Sequence, residues 1–355
     1  MKKHVLTLLV LVITNVAFAV KVGDVTDLMK PTYLQVAEDD LIVVEGSTNS
    51  IHVYSLETLK LKHKLGKKGE GPGEFKQKPM ISLVSPDCIL AFDFTKGIWF
   101  SREGKIIKEK VLQNTTFHWI GPIKDNYTAL QLFYDRQTGD GGWALVLLDS
   151  QFKIIKELTR VDNAVRIESP DEDRSKLKVN LIFPVVLKFT YDDKVFLGNS
   201  LKGFYFDVFD HQGNHLYSID KNDQVEKIKV DDAYKKRLLE YFRIYNRADY
   251  ESYDSKNFLF STFLPAFKNF QISEKKIFVI TFKEKDGLRE LIVLDLKGKI
   301  LDRLFLPLKS VKFHLAGGKD TYTIYKGVFF ELVENEETER WELHKTDLNS
   351  ILSDN

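Results

Sequence analysis

Three side chains that carry oxygen ligands stand at the ends of apolar, alternating stretches. Glu45 ends the stretch DLIVVE, Asp93 follows CILAF, and Asn199 follows KVFLG. Carboxylate and amide oxygens are ligands that Ca²⁺ accepts readily in proteins. If equivalent stretches surround one point, the three side chains predict a calcium site. If they do not, each side chain caps its own turn.

Basic side chains near the same stretch ends indicate a second kind of chemistry, the binding of an anionic ligand. The candidate ligand-binding residues are Glu45, Asn49, Asp93, Lys96, Arg136, Asn199, Lys202 and Lys283. The candidate metal ligands among them are Glu45, Asp93 and Asn199. The corresponding places in other parts of the chain carry Phe133, Phe282 and Tyr325, which would leave a metal site incomplete.

Recognised catalytic motifs are missing from the sequence. The chain has no H-E-x-x-H zinc motif, no G-x-S-x-G nucleophile elbow and no C-x-x-C-H haem motif. The catalytic residues therefore stay unknown, no cofactor is evident, and Ca²⁺ is the one ion that the pattern allows.

The stretch GKKGEGPGEF, residues 66–75, has the glycine content of a phosphate-binding loop. A phosphate loop of the G-x-x-x-x-G-K-[ST] type needs Lys and Ser or Thr after the second glycine, at the start of a helix. Here Pro72 and Gly73 follow Gly71, and no helical pattern comes after them. The stretch therefore predicts a structural joint, formed by Gly66, Gly69, Gly71, Pro72, Gly73 and Phe75.

The elements that must position these residues form a repeat. A hairpin of two alternating strands recurs six times, at residues 51–65, 97–111, 143–158, 205–219, 291–305 and 328–344. A strand pair with a tight turn precedes each hairpin, at residues 33–45, 80–93, 119–133, 185–199, 270–282 and 311–325. Units of four antiparallel strands at this spacing are typical of propeller blades. We therefore predict an all-β, six-bladed β-propeller; a two-domain β-sandwich is the alternative.

The joint, together with ILAFDFTKGIWF at residues 89–100, resembles the secreted six-bladed propellers of the NHL-repeat and TolB-like kind. The resemblance extends over nearly the whole chain after residue 19, but its specific motif lies only between the first two blades. It implies the fold. Family members include binding scaffolds, lactonases and lyases, so the resemblance implies no single activity.

The predicted blades place their short turns on one face and their long connections on the other. The long connections include residues 134–142, 159–182 and 220–269, so we expect any binding to occur on that face. The segment 220–269, between blades four and five, contains one amphipathic helix that Asp231 or Asp232 can cap. The helix is either a brace packed on the propeller or a docking surface for a peptide or glycan.

The first residues are typical of a secretory signal: Lys2 and Lys3, an apolar run, and then Ala17-Phe18-Ala19. An uncleaved N-terminal anchor is the alternative. The predicted division is a signal peptide at 1–19, a lead-in at 20–30, the propeller at 31–346 and a tail at 347–355. The sequence thus favours a secreted or periplasmic protein without a lipobox cysteine and without stable membrane insertion after cleavage.

The balance of charge argues against nucleic acid as a partner, because Lys+Arg is 52 against Asp+Glu 51. The single cysteine, Cys88, excludes a disulfide within the chain. We interpret the chain as a scaffold that recognises a protein, peptide or glycan through its loop-rich face. The alternative is a Ca²⁺-dependent hydrolase or lyase, resembling the lactonases, acting at the channel mouth.

Overall fold

The computed structural model describes residues 19–112, 116–135, 140–166, 179–245, 251, 255–310 and 321–352. These residues form six four-stranded antiparallel sheets, the blades of a six-bladed β-propeller, which confirms the predicted fold class. Alternating side chains let each strand bury residues on both sides of its sheet, between neighbouring blades.

The first five blades each use four consecutive strands, from the innermost to the outermost. Blade 1 contains β2 (Pro31–Ala37), β3 (Asp40–Glu45), β4 (Ser50–Ser55) and β5 (Leu61–Leu65). Blade 2 contains β6 (Met80–Val84), β7 (Cys88–Phe92), β8 (Lys96–Ser101) and β9 (Ile106–Val111). Blade 3 contains β10 (Phe117–Ile123), β11 (Asn126–Tyr134), β12 (Asp140–Leu148) and β13 (Ile154–Arg166).

Blades 4 and 5 follow the same plan. Blade 4 contains β15 (Val186–Tyr191), β16 (Lys194–Asn199), β17 (Tyr205–Asp210) and β18 (His215–Asp220). Blade 5 contains β20 (Asn269–Ser273), β21 (Lys276–Lys285), β22 (Leu288–Asp295) and β23 (Ile300–Leu306). A short parallel pair, β14 (Val179–Asn180) and β19 (Phe258–Leu259), links the two long connections around blade 4.

Blade 6 differs from the sequence prediction because its outermost strand comes from the N-terminal side of the chain. Its strands are β24 (Tyr322–Tyr325), β25 (Val328–Asn335), β26 (Arg340–Asp347) and β1 (Val20–Val25), which pairs with β26. The predicted lead-in at 20–30 therefore contains a strand, and residues 328–347 are the second and third strands of the blade. Most of the predicted strand pair 311–325 lies outside the described residues. Pairing the two ends of the chain closes the ring.

Apolar clusters between neighbouring blades form the core. One cluster joins Val44 and Ile51 of blade 1 to Ile89 and Phe100 of blade 2, with Phe75 among them. Another joins Phe196 and Phe206 of blade 4 to Ile277 of blade 5. Leu348, after the last strand, is fully buried against blades 5 and 6, so the start of the predicted tail belongs to the packed structure.

The insertion after blade 4 folds onto the propeller. Its helix α1 (Asp232–Tyr245) is capped by Asp231, whose Oδ1 accepts a hydrogen bond of 2.7 Å from Tyr234 N. Tyr234 and Leu238 are buried with Phe282, a residue of the elongated strand β21. The helix is thus held by blade 5. Short 3-10 turns, Ser200–Lys202 and Ser255–Asn257, complete the elements.

Candidate functional site

Glu45 is the last residue of β3, and its carboxylate binds the backbone segment that leads into blade 1. Its carboxylate accepts hydrogen bonds from the backbone N–H groups of Met29, Lys30 and Ser47, and from the Ser47 hydroxyl at 2.6 Å. Burial alone would raise the pKa of Glu45, but these hydrogen bonds outweigh it and lower the pKa below its ordinary value. The carboxylate is therefore ionised and already surrounded by donors.

Asp93, directly after β7, does the same in blade 2. Its Oδ2 accepts from Lys76 N at 2.7 Å, and its Oδ1 accepts from Thr95 N, the Thr95 hydroxyl and Lys96 N. In blade 6, which the sequence analysis did not include in this set, Glu331 of β25 accepts from the N–H and the hydroxyl of Ser310. In three blades, an acidic side chain on or directly after the second strand thus accepts hydrogen bonds from the connection that leads into the blade.

Asn199 ends β16, and its side-chain oxygen caps the 3-10 turn by accepting from Leu201 N at 3.1 Å. The three predicted metal candidates therefore each bind backbone groups of their own blade. Within the described part of the chain, no group of three or more His, Cys, Asp or Glu side chains could hold a metal ion. Calcium binding stays a prediction.

Two further candidates, Asn49 and Lys96, hold the glycine-rich joint. The Asn49 amide lies 3.5 Å from Phe75 O and 3.4 Å from Lys76 O. Lys96 Nζ donates to Gly71 O at 2.7 Å and pairs with Glu109 Oε1 at 2.9 Å, and the other Glu109 oxygen accepts from Gly73 N. The buried lysine is thus fully engaged within the protein.

Phe75 lies between the sheets of blades 1 and 2 and is fully buried. Gly66 has a φ of +68°, and a Cβ there would collide with the Phe75 ring. The conformation and the close approach both require glycine. Residues 66–75 therefore pack as a joint between blades, held by Asn49, Lys96 and Glu109.

The remaining candidate cations lie on the loop-rich side. Lys202 Nζ lies 3.4 Å from Asp207 Oδ2 and 4.4 Å from the centre of the Tyr205 ring. Lys283 Nζ pairs with Glu226 at 2.7 Å, and both side chains are exposed or partly exposed. Arg136 lies outside the described residues.

The central channel contains a cation that the sequence analysis missed. A cavity of about 630 Å³ extends along the inner strands, and Lys188 of β15 lines it. Lys188 is partly buried, and the desolvation of its amine lowers the pKa of Lys188 to about 7. A lysine inside the otherwise apolar stretch VVLKFTY was the available signal. That stretch does not say whether the lysine faces a channel or the outer surface.

Bulges shape the channel wall on one side of the ring. The pairing register shifts between Pro31 and Tyr33 in β2, between Ile81 and Leu83 in β6, and between His118 and Gly121 in β10. The bulge in β10 holds Trp119 at a φ of +46°, a conformation that is rare for a bulky residue. Bulges redirect side chains and are frequent beside functional sites.

Comparison with known proteins assigns neither a family nor an activity to the chain. No family model matches the chain, and no curated protein matches it. Among solved structures, the chain is similar to a Bacteroides fragilis structure named "Putative exported protein", at 11% identity, with 94% of each chain covered and a TM-score of 0.49.

Two fungal propellers are also similar to the chain. The Cps50 β-propeller domain of Myceliophteria thermophila is 11% identical, with 91% of this chain and 99% of that chain covered and a TM-score of 0.40. The Neurospora crassa Pan2 WD40 domain is 10% identical, with 89% and 75% covered and a TM-score of 0.41. No helix among the described residues has the length and apolar character needed to cross a membrane.

Proposed function

We propose that this protein is a secreted or periplasmic binding scaffold that recognises a protein, peptide or glycan through its loop-rich face. In this proposal the glycine-rich joint reflects kinship with the NHL-repeat and TolB-like propellers, and residues 1–19 serve as the export signal. The activity is recognition, with no chemical step.

The distribution of exposed apolar side chains carries this proposal. Because neighbouring strands are antiparallel, the second-to-third strand loops and the blade connections share one face of the ring. Exposed large apolar side chains on that face are Met29, Phe183, Leu201, Ile244, Leu259 and Phe263. The described turns of the opposite face contain no exposed large apolar side chain. Contiguous exposed apolar patches mark interaction sites, and these six side chains are the candidates for such a patch.

The surrounding structure supports a rigid binding surface. Helix α1 is anchored through Tyr234 and Leu238, while Ile244 at its end is 58% exposed. Leu201, in the 3-10 turn that Asn199 caps, is 50% exposed. Anchored aromatic and aliphatic side chains bind with little loss of conformational entropy.

The test screens the full chain against a peptide-display library and a glycan array. Each binder is then measured against Leu201→Glu and Ile244→Glu, with Ile155→Glu on the outer strand β13 as the matched control. We expect about tenfold or greater loss of affinity in the two face variants and an unchanged affinity in the control. The proposal would be contradicted if no binder were found, or if the affinity fell only in the control variant Ile155→Glu.

A further inference from the structure

The central channel has the dimensions of a small-molecule site. Its volume of about 630 Å³ falls inside the range of roughly 300–1,000 Å³ that ligand pockets occupy. Inner strands of all six blades contribute to the wall, from residues 32–35 of blade 1 to Tyr322 of blade 6. Fixed strands of this kind provide a preformed site, distinct from the loop-rich face proposed for partner binding.

The charges on the wall are all of one sign. Lys78 and Lys188 line the cavity, and no Asp, Glu, Arg or His stands among the described residues that line it. A cleft lined by one sign of charge with apolar walls raises the local concentration of the opposite sign. The cavity is therefore suited to an anion.

Lys188 supplies the anchoring group. No hydrogen bond or ion pair joins its Nζ to any residue in the described part of the chain, in contrast to Lys96, which is bound to Gly71 O and Glu109. A buried charge without a partner costs free energy, and an anionic ligand would offset this cost. The hydroxyls of Ser82 and Thr190, also on the wall, lack hydrogen-bond partners among the described residues.

The backbone opposite Lys188 lets the amine approach it closely. Gly121 follows the bulge in β10, and a Cβ at Gly121 would lie 2.9 Å from Lys188 Nζ. The rest of the wall is largely aromatic and aliphatic, with Phe94, Trp119, Phe189 and Phe270 on four different blades. Flat rings on several sides favour a flat, apolar ligand body.

We propose that the central channel binds a small organic carboxylate with a flat apolar body, whose carboxylate pairs with Lys188 Nζ beside Gly121 and whose body packs among Trp119, Phe189 and Phe270. No covalent step is involved. The site differs from the loop-rich face, so the two proposals can fail separately.

Isothermal titration calorimetry with the full chain at about pH 6 tests this site. The probes are benzoate, indole-3-carboxylate and naphthalene-2-carboxylate, and the neutral naphthalene-2-carboxamide is the matched comparison. We expect at least one carboxylate to bind, and to bind about tenfold or more tightly than the carboxamide, because hydrogen bonds to charged groups are the stronger ones.

Single substitutions test whether the carboxylate binds at Lys188. Lys188→Met should weaken carboxylate binding about tenfold or more, while Lys194→Met, which removes a partly exposed lysine that pairs with Asp192 in the same blade, should leave the affinity unchanged. Gly121→Ala keeps the amine but occupies the space beside it, and should also weaken binding; thermal melting confirms that each variant is folded. Failure of all three carboxylates to bind, or equal binding by wild type and Lys188→Met, would overturn the proposal.

Discussion

The joint between blades 1 and 2 contains a buried lysine and the channel wall contains a partly buried one, and the two have opposite environments. At the joint, Lys96 Nζ meets Gly71 O and Glu109, and Asp93 accepts bonds from the backbone on both sides. In the channel, Lys188 meets no hydrogen-bonding or ionic partner within the described residues, and its amine lies against Gly121, where a Cβ would crowd it. A satisfied polar group stabilises the fold, whereas an unsatisfied one that faces a cavity indicates a ligand.

The largest effect is expected at Asp93, which is fully buried. Asp93→Ala leaves the N–H groups of Lys76, Thr95 and Lys96 without an acceptor, and each unsatisfied buried group costs about 1–3 kcal/mol. We expect the free energy of unfolding in urea to fall by about 3 kcal/mol or more, or folding to fail. Asp93→Asn, which keeps one acceptor oxygen, should lose less.

The control for this measurement is Asp125→Ala, because Asp125 is an exposed turn residue of blade 3. Its free energy of unfolding should stay within about 0.5 kcal/mol of the wild type. If Asp93→Ala and Asp125→Ala were equally stable, Asp93 would not hold the joint.

The same substitution at the two lysines should have different consequences. Lys96→Met removes the partner of Gly71 O and one of the partners of the partly exposed Glu109, and we expect a loss of about 1–3 kcal/mol. Lys188→Met removes a partly buried charge that has no ionic partner among the described residues, so we expect an unchanged or higher free energy of unfolding. Urea unfolding at about pH 6 measures both. A similar loss in both variants would remove the distinction between the two regions.

The stability of the protein should depend on pH through Lys188. Its folded-state pKa of about 7 lies below the ordinary 10.5, so its destabilising effect is complete below about pH 7 and is relieved as the pH rises toward 10.5. Relative to Lys188→Met, the wild-type free energy of unfolding should rise by up to about 1.4 kcal/mol per pH unit in this window.

The other ionisable groups on the channel wall are Tyr33, Lys78 and Tyr322, and they are present in both proteins. Burial raises the pKa of Tyr33 to about 12, so its hydroxyl stays neutral across the window. Parallel pH profiles of wild type and Lys188→Met would contradict the expected shift.

The smallest effect is expected from metal removal. Because Glu45, Asp93 and Asn199 each bind backbone N–H groups of their own blade, we expect EDTA or added Ca²⁺ to leave the melting temperature unchanged. A shift of several degrees between the two conditions would support the calcium site and the hydrolase or lyase alternative.

The blades were predictable because their signals are local. Alternating side chains and short turns specify each hairpin, and the spacing of Tyr234 and Leu238 marked helix α1. The closure of blade 6 was not predictable in this way, since β1 pairs with β26 from the other end of the chain. Such a pairing leaves no pattern within either segment.

The candidate residues were found by type and position, but their roles depend on what surrounds them. Glu45, Asp93 and Lys96 occupy the strand ends where they were expected, and the folded chain supplies each with its own partners. Most lysines lie on a protein surface, so the residue type alone does not place Lys188 in the channel. Only the closed ring places it on a channel wall lined by two lysines and, among the described residues, no carboxylate.

The most direct test of the contrast is the ionisation of Lys188 itself. Lysines of the folded chain are reductively dimethylated with ¹³C-formaldehyde and a borane reductant, and the methyl signals are followed by NMR from about pH 5 to pH 11. The signal that disappears in Lys188→Met should titrate near 7. If the Lys188 signal titrated near 10.5, the amine would be solvated or paired, and the channel would lose its role as an anion site.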